Sequence, residues 1–309
     1  MKIIVQIPCF NEEKTLPSVL AALPKEALGH RIETLVIDDG SSDETAEVAA
    51  SSGADYLLKL PHHCGLATAF QSGIVACLEL GADIIVNTDG DGQYDPKDLD
   101  SLIEPIIDGK ADMVLGERDI SSLDAFSSTK KTITWLANHI LSAMLNLKVR
   151  DCRSGFRSFH RRSAKKLSLQ SNYTHTIETL FQIRFHGGRI ERVPVKTLPP
   201  TRPSRLFSHL STDLLQAGGS VLQSCLRFRP LFFSATLAVA SILPSLIVLS
   251  GFIPISAENQ AIIVLTSLTT STFLVLCGFI LQQLLPLQSR SLASRTFRGQ
   301  LTSLRYNPT

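Results

Sequence analysis

Short apolar runs alternate with amphipathic stretches from the start of the chain to Leu198. Ile3 to Ile7 reads as a first strand, and Pro8-Cys9-Phe10-Asn11-Glu12-Glu13 turns into a helix running to about Leu23. Ile32 to Ile37 is a second strand ending in Asp38-Asp39-Gly40-Ser41-Ser42-Asp43, with Asp43 placed to cap a helix from Glu44 to Ala50. Asp55 to Leu60 is a short third strand, and His62-His63-Cys64-Gly65 leads into an Ala-rich helix to about Leu80. Ile84 to Val86 is a fourth strand, Lys97 to Ile107 a helix, and Met113 to Gly116 a fifth strand followed by Glu117 and Arg118. This alternation predicts an α/β fold with a mainly parallel open sheet.

Beyond Arg118 the pattern loosens. Thr129 to Leu147 has helical periodicity and holds Trp135, and Asp151 to Arg157 is a polar loop before a short strand. Thr176 to His186 reads as a helix, Arg189 to Leu198 as a strand, and Pro199 to Arg205 as a loop. Leu206 to Phe228 is amphipathic and either lies along a membrane surface or packs on the domain. Leu231 to Ile255 and Ala261 to Leu285 contain no charged residue. Each is long enough, at ~37 Å of helix, to cross a hydrocarbon core of ~30 Å. Pro244 predicts a kink in the first. The connection Ser256 to Gln260 is short enough to force an antiparallel hairpin. The expected layout is an α/β domain over 1–205, a juxtamembrane amphipathic helix over 206–230, a two-helix transmembrane hairpin over 231–285, and a basic tail over 286–309.

Composition adds bounds. A formal net charge of +2 over 309 residues gives no support for nucleic-acid binding. The 6 Cys are scattered without a Cys-x-x-Cys pair, which indicates neither a zinc site nor a disulfide framework and suits a reducing compartment. No cationic, apolar, cleavable leader precedes Lys2-Ile-Ile-Val-Gln-Ile7, so the globular part is expected not to be secreted.

The chemistry concentrates where Ile84-Ile85-Val86 ends in Asn87-Thr88-Asp89-Gly90-Asp91-Gly92-Gln93-Tyr94-Asp95. Carboxylates this close repel each other unless a cation lies between them, and hard oxygen ligands select Mg²⁺ or Mn²⁺. An EF-hand would need Gly where Tyr94 stands, Glu where Asp100 stands, and a helix entering the loop. The alternative is a plain solvated turn. The first strand–helix turn has no glycine, so the dinucleotide fingerprint G-x-G-x-x-G is absent. Asn11-Glu12, Asp38-Asp39 and Asp89-Asp91 each follow a strand, and on a parallel sheet such ends share one edge. One carboxylate can accept from a base or ribose, another can hold a metal, and the metal a diphosphate. In outline this is a sugar-nucleotide site.

Four motifs in order, Pro8-x-Phe-Asn-Glu12, Val36-Ile-Asp-Asp-Gly-Ser-Ser-Asp43, Asp89-x-Asp-x-Gln93 and Ser154-Gly-Phe-Arg157, resemble the family 2 inverting glycosyltransferases of GT-A fold. The nearest subgroup resembles the polyprenyl-phosphate sugar synthases, of which dolichyl-phosphate mannose synthase is the type. The resemblance covers about residues 1 to 210. It implies that Pro8, Phe10 and Glu12 line the base and ribose pocket with Asp39 beside them. It implies that Asp89 contacts the donor, that Asp91 and Gln93 hold the metal with Asp89 close by, and that Arg118 sits near a lipid phosphate. Asp151 falls where such enzymes carry an acidic residue near the acceptor, and Arg202 and Arg205 would bind phosphate from a mobile loop. Two positions depart from the pattern: Phe10 stands for a common Tyr, and His62-His63-Cys64-Gly65 for a Gly-rich segment that usually carries Asn. The Gln-x-x-Arg-Trp signature of processive polysaccharide synthases is missing.

The expected activity is transfer of one sugar from a UDP- or GDP-sugar to a polyprenyl phosphate at a membrane. A phosphate monoester, with a second pKa of about 6, is already anionic at pH 7 and needs little help from a base. A sugar hydroxyl on a lipid-linked or cell-surface glycan, the alternative acceptor, would need one, and Asp151 is the candidate. A non-catalytic nucleotide-binding membrane subunit is the reading from another class. Arg227, Arg229, Arg290, Arg295 and Arg298 flank the two spans, whereas the connection carries only Glu258. That places both flanks and the catalytic domain on the cytoplasmic side. Assembly into a homo-oligomer is left open.

Overall fold

The computed structural model describes residues 1–119, 135, 138–139, 141–169, 175–199, 219, 222–223, 226–251, 255–289 and 300–304. They fall into two compact units: Met1–Ser220 together with Arg295–Thr309, and Val221–Ser294.

The first unit is built on a nine-stranded sheet. In chain order its elements are β1 (Ile3–Cys9), α1 (Leu16–Ala22), β2 (Glu26–Ala27), β3 (His30–Asp38), α2 (Thr45–Ser51), β4 (Tyr56–Lys59), α3 (Leu66–Glu79), β5 (Ile84–Asn87), α4 (Leu99–Ile107), β6 (Met113–Arg118), β7 (Arg157–His160), α5 (Arg161–Ala164), α6 (Thr176–Phe185), β8 (Ile190–Val195) and β9 (Gln300–Ser303). The spatial order is β8-β6-β7-β5-β1-β3-β4-β9, with β2 paired to β3. Every residue of β1 and β5 is buried, as expected of central strands covered on both faces. Ile3, Val5 and Ile7 pack with Leu16 and Leu20 of α1 and Leu102 and Ile106 of α4. The alternate residues face α3, where Gly73 lets the helix approach Gln6: a Cβ there would lie 2.5 Å from Gln6 Oε1.

β1, β3, β4 and β5 run parallel, as the alternation predicts, and so do β6 and β8. β7 enters between β5 and β6 and runs antiparallel to both. That reversal brings the start of β7, and the loop before it, to the edge where the parallel strands end. Arg157 pairs with Asn87 of β5 and with Leu115 of β6. β9 closes the far edge antiparallel to β4, and Leu304 N donates to Asp55 O at 2.9 Å. The sequence reading assigned no strand there.

The second unit is a helical hairpin, α7 (Pro230–Leu249) and α8 (Ala257–Ser289). Their mean hydropathies are 2.2 over Pro230–Leu249 and 2.0 over Ala257–Leu284. Both are long and apolar enough to cross a membrane. The helices are antiparallel: Ser245 Oγ donates to Ile263 O at 3.4 Å, Ser271 Oγ to Ala238 O at 3.3 Å, and Gly278 sits against Ser234. Leu243, Leu246, Leu265, Phe273 and Phe279 are exposed on the outer faces. The connection differs from the expected Ser256 to Gln260. α7 stops before Gly251, which takes a left-handed φ of +74°, and Glu258 lies in the first turn of α8, where a helix N-terminus favours a carboxylate. Pro244 lies within α7.

Candidate active site

The carboxyl ends of β1, β3 and β5 are laced together by backbone. Asp39 N donates to Cys9 O at 2.9 Å and Thr88 N to Gln6 O at 3.1 Å. Pro8 is buried in β1 against Ile37 of β3. Past the strand, Asn11 adopts a left-handed φ of 56° and accepts from Ser42 N at 2.8 Å. Glu12 is buried, with its amide on Thr45 Oγ1 (2.8 Å) and its carboxylate accepting from Thr15 Oγ1 (2.7 Å). Asp43 Oδ1 accepts from Thr45 N at 3.1 Å, but α2 begins at Thr45 and its N-cap position falls to Glu44, not to Asp43 as expected.

Asp39 is buried beneath the loop that follows β4. Its carboxylate accepts from Cys64 N at 2.8 Å and Gly65 N at 2.9 Å, and pairs with His63 Nδ1 at 2.9 Å. Burial pushes this carboxyl above its usual range, and the amides and the His63 ring offset part of that rise. Gly40, at φ +69°, admits the loop, because a Cβ there would collide with the His62 backbone. The His63 ring stacks on Phe10 with centroids 3.9 Å apart. Three residues from three strand ends, Phe10, Asp39 and His63, thus form one wall.

The acidic turn is built against the loop before β7. Asn87 Nδ2 donates to Gly155 O at 2.8 Å, and Asn87 Oδ1 accepts from Gln6 Nε2 at 2.9 Å. Tyr94 is buried, stacks on Phe156, and accepts from Gly155 N at 2.8 Å; burial pushes its phenol up to about 12. Gly155 is required by closeness, since a Cβ there would stand 2.7 Å from Asp89 Oδ1. Arg157 is fully buried and donates to the carbonyls of Cys152, Ser154 and Thr176 and to Thr179 Oγ1. Its own burial pulls it down to about 10.

Burial, and then the neighbouring Asp91, push the Asp89 carboxyl up to about 7, against the pull of Arg118 and Arg157. Asp91 Oδ1 accepts from Gln93 N at 3.1 Å, which folds the turn on itself. Gln93 is also pinned through its carbonyl by Leu198 N. Among the described residues no group of three His, Cys, Asp or Glu side chains is arranged to hold a metal. The donors that fit a hard cation are the paired oxygens of Asp89 and Asp91, which would leave its other positions to ligand and solvent oxygens.

Arg118, at the end of β6, meets Asp151 in a two-pronged pair: Nε to Oδ2 at 2.6 Å and Nη2 to Oδ1 at 3.2 Å. Asp151 is fully buried, and its Oδ1 also accepts from Arg153 N at 3.1 Å. Both of its oxygens are therefore engaged. Arg202 and Arg205 lie outside the described residues. So do parts of the sequence-derived helix Thr129 to Leu147, of which 141–145 are helical and Trp135 is exposed, and most residues of Leu206 to Phe228.

Sequence reasoning placed Asn87 and Tyr94 in the acidic turn but gave them no role, and it did not single out Gln6. Gln6 and Asn87 stand out as polar residues inside otherwise apolar strands, and that is the signal that could have found them.

Three comparisons bear on this architecture. An undecaprenyl-phosphate mannosyltransferase of Micrococcus luteus is 28% identical over 205 residues, spanning 63% of this chain and 83% of that protein. A UDP-N-acetylglucosamine–dolichyl-phosphate N-acetylglucosaminyltransferase of Methanococcus voltae is 30% identical over 215 residues, spanning 62% and 84%. The crystal structure of glucosyl-3-phosphoglycerate synthase from Mycobacterium tuberculosis, in complex with Mn²⁺, UDP and glucosyl-3-phosphoglycerate, superposes with a TM-score of 0.59 over 72% of this chain and 80% of that one, at 24% identity. It shares the fold. Residues 4–168, which carry β1 to β7 and the acidic turn, match the family described as Glycosyl transferase family 2, and the chain belongs to that family.

Proposed function

We propose that the protein is a membrane-bound inverting transferase that moves one sugar from a UDP- or GDP-sugar to a polyprenyl phosphate. The observation that carries this reading is the engagement of Asp151. Its two oxygens are held by Arg118 and the Arg153 amide, so it is not presented as a general base. An acceptor that needs no base suits such a site, and a phosphate monoester is one. A sugar hydroxyl is not.

In this reading Pro8, Phe10 and Glu12 line the base and ribose pocket. Asp89 and Asp91 would hold Mg²⁺ or Mn²⁺ with Gln93 on the same turn, and such a cation, when bound, would supply positive charge against the diphosphate. Arg118, aimed by Asp151, receives the acceptor phosphate. An oxygen of that phosphate attacks the anomeric carbon, and the nucleoside diphosphate leaves with the electron pair of the glycosidic bond. Arg202 and Arg205 would add charge over the phosphates. The hairpin α7–α8 keeps the domain at the membrane, where a polyprenyl phosphate resides. The names of the relatives and the apolar outer faces of both helices support this placement.

The test is transfer by the full chain in lipid. Labelled UDP- and GDP-sugars are offered with Mn²⁺ and either bare undecaprenyl phosphate or a polyprenyl-diphosphate-linked disaccharide. Product on the bare phosphate is expected. Product only on the disaccharide would overturn the acceptor assignment.

A further inference from the structure

The wall formed by Phe10, Asp39 and His63 divides its labour in a way that the acidic residues alone do not suggest. Asp39 is 2% exposed, and its oxygens already accept from three donors, Cys64 N, Gly65 N and His63 Nδ1. At that exposure little of the carboxylate is open to a ligand. His63 is the opposite case: its side chain is 52% exposed, and its ring lies flat on Phe10 at an interplanar angle of 24°.

The proton on that ring can be placed from geometry. Nδ1 faces two acceptors of one residue, Asp39 Oδ2 at 2.9 Å and Asp39 O at 3.3 Å. Nδ1 therefore carries the hydrogen, and in the neutral ring Nε2 is a bare acceptor. Among the described residues Nε2 makes no hydrogen bond. The stack on Phe10 and the anchor on Asp39 fix both the plane of the ring and its rotation. A pre-aimed acceptor of this kind loses little freedom when it binds a donor.

We propose that His63 reads the base of the nucleotide donor through Nε2, and that Asp39 is the positioning residue that sets its tautomer. This inference rests on the nucleotide-sugar reading of the site. Uracil and guanine present a ring N–H on their pairing edge, at N3 and N1. Cytosine and adenine present a bare nitrogen acceptor there. An Nε2 acceptor accepts a hydrogen bond from the first pair and opposes the lone pair of the second. The residues that depart from the family pattern in this segment are thus the ones that select a class of base.

The experiment is equilibrium binding of UDP, GDP, CDP and ADP, with Mn²⁺, to the full chain in detergent. It compares the natural protein with His63→Phe and His63→Ala. Phe keeps a ring over Phe10 and lacks the acceptor; Ala removes both. The natural protein is expected to prefer UDP or GDP over CDP and ADP. Both variants should lose about three- to tenfold of that preference, the worth of one neutral hydrogen bond. The inference is overturned if His63→Phe keeps the natural ratio or if the natural protein shows no base preference. It is also overturned if His63→Ala binds all four more tightly, the mark of a ring that only occupies the place of the base on Phe10. If the natural protein binds none of the four, the nucleotide reading falls, and this inference with it.

Discussion

The Tyr94 hydroxyl accepts the Gly155 amide at 2.8 Å and thereby ties the acidic turn to the loop that precedes β7. Gly155 in turn lies against Asp89, so the phenol sets the depth of that carboxylate. Tyr94→Phe leaves a buried amide without its acceptor. The expected cost is about 1–3 kcal/mol of stability. Urea unfolding measures it, and an unchanged midpoint would mean that the amide finds another partner.

Asp91→Ala should abolish metal-dependent transfer while leaving the fold intact. The residue is half-buried at the end of a turn and is not part of the apolar core. Activity is followed at saturating Mn²⁺, and the thermal midpoint serves as the control. Full activity with an unchanged midpoint would remove Asp91 from the metal assignment.

Metal affinity should depend on pH through Asp89. Burial and Asp91 hold that carboxyl up to about 7, so it is protonated in a substantial fraction of molecules at neutral pH. A cation requires the ionised form, so the proton competes below pH 7 and ceases to compete above it. Apparent Mn²⁺ affinity should rise about tenfold from pH 6 to pH 8, as one-proton competition dictates. Calorimetry in buffers of different ionisation heat would register about one proton released at pH 6 and about half a proton at pH 7. A flat profile would place the metal away from Asp89.

Asp151→Asn separates two roles for one carboxylate. If Asp151 aims Arg118, the variant leaves a buried guanidinium without its counter-charge. The destabilisation should approach the ~3–5 kcal/mol typical of a broken buried pair, and kcat should fall. The pH–rate profile should nevertheless keep its shape. Loss of an acidic limb in the variant would instead identify Asp151 as a general base and revive the hydroxyl acceptor.

The hairpin predicts a labelling pattern. A cysteine at Asn259, which is exposed in the first turn of α8, should react with an impermeant thiol reagent in intact cells once Cys225 and Cys277 are removed. A cysteine at Ser291 should react only after permeabilisation. The reverse pattern would put the catalytic domain on the other side of the membrane.

Much of this was legible in the residues themselves. β5 carries an unbroken apolar run into acid, and such a run has one reading when it ends at a sheet edge. Phe10, Glu12, Asp39, Asp89 and Asp91 come together because parallel strands share that edge. The hidden part is non-local. Gln6, Asn87 and Gly155 form one chain of hydrogen bonds from three distant segments. Nothing near Arg157 in sequence indicates that its strand runs backwards between β5 and β6. Asp151 looks like an available acid until Arg118 is seen on both its oxygens. The end of α7 was set by the left-handed bend at Gly251, whereas the sequence reading placed it by the last apolar residue.

β9 carries a consequence for how the molecule comes to be made. The backbone edge of Tyr56–Lys59 is closed by Gln300–Ser303, residues synthesised after the apolar hairpin. The catalytic sheet is therefore discontinuous in sequence, with the apolar hairpin interposed between its eighth and ninth strands. During translation that edge stays open until α7 and α8 have left the ribosome. A chain cut short after the catalytic motifs would keep every acidic residue and lose the strand that covers β4. An open edge of this kind is a template for pairing with a second copy. Clumping of such a fragment would then report a missing strand, and added detergent would not cure it.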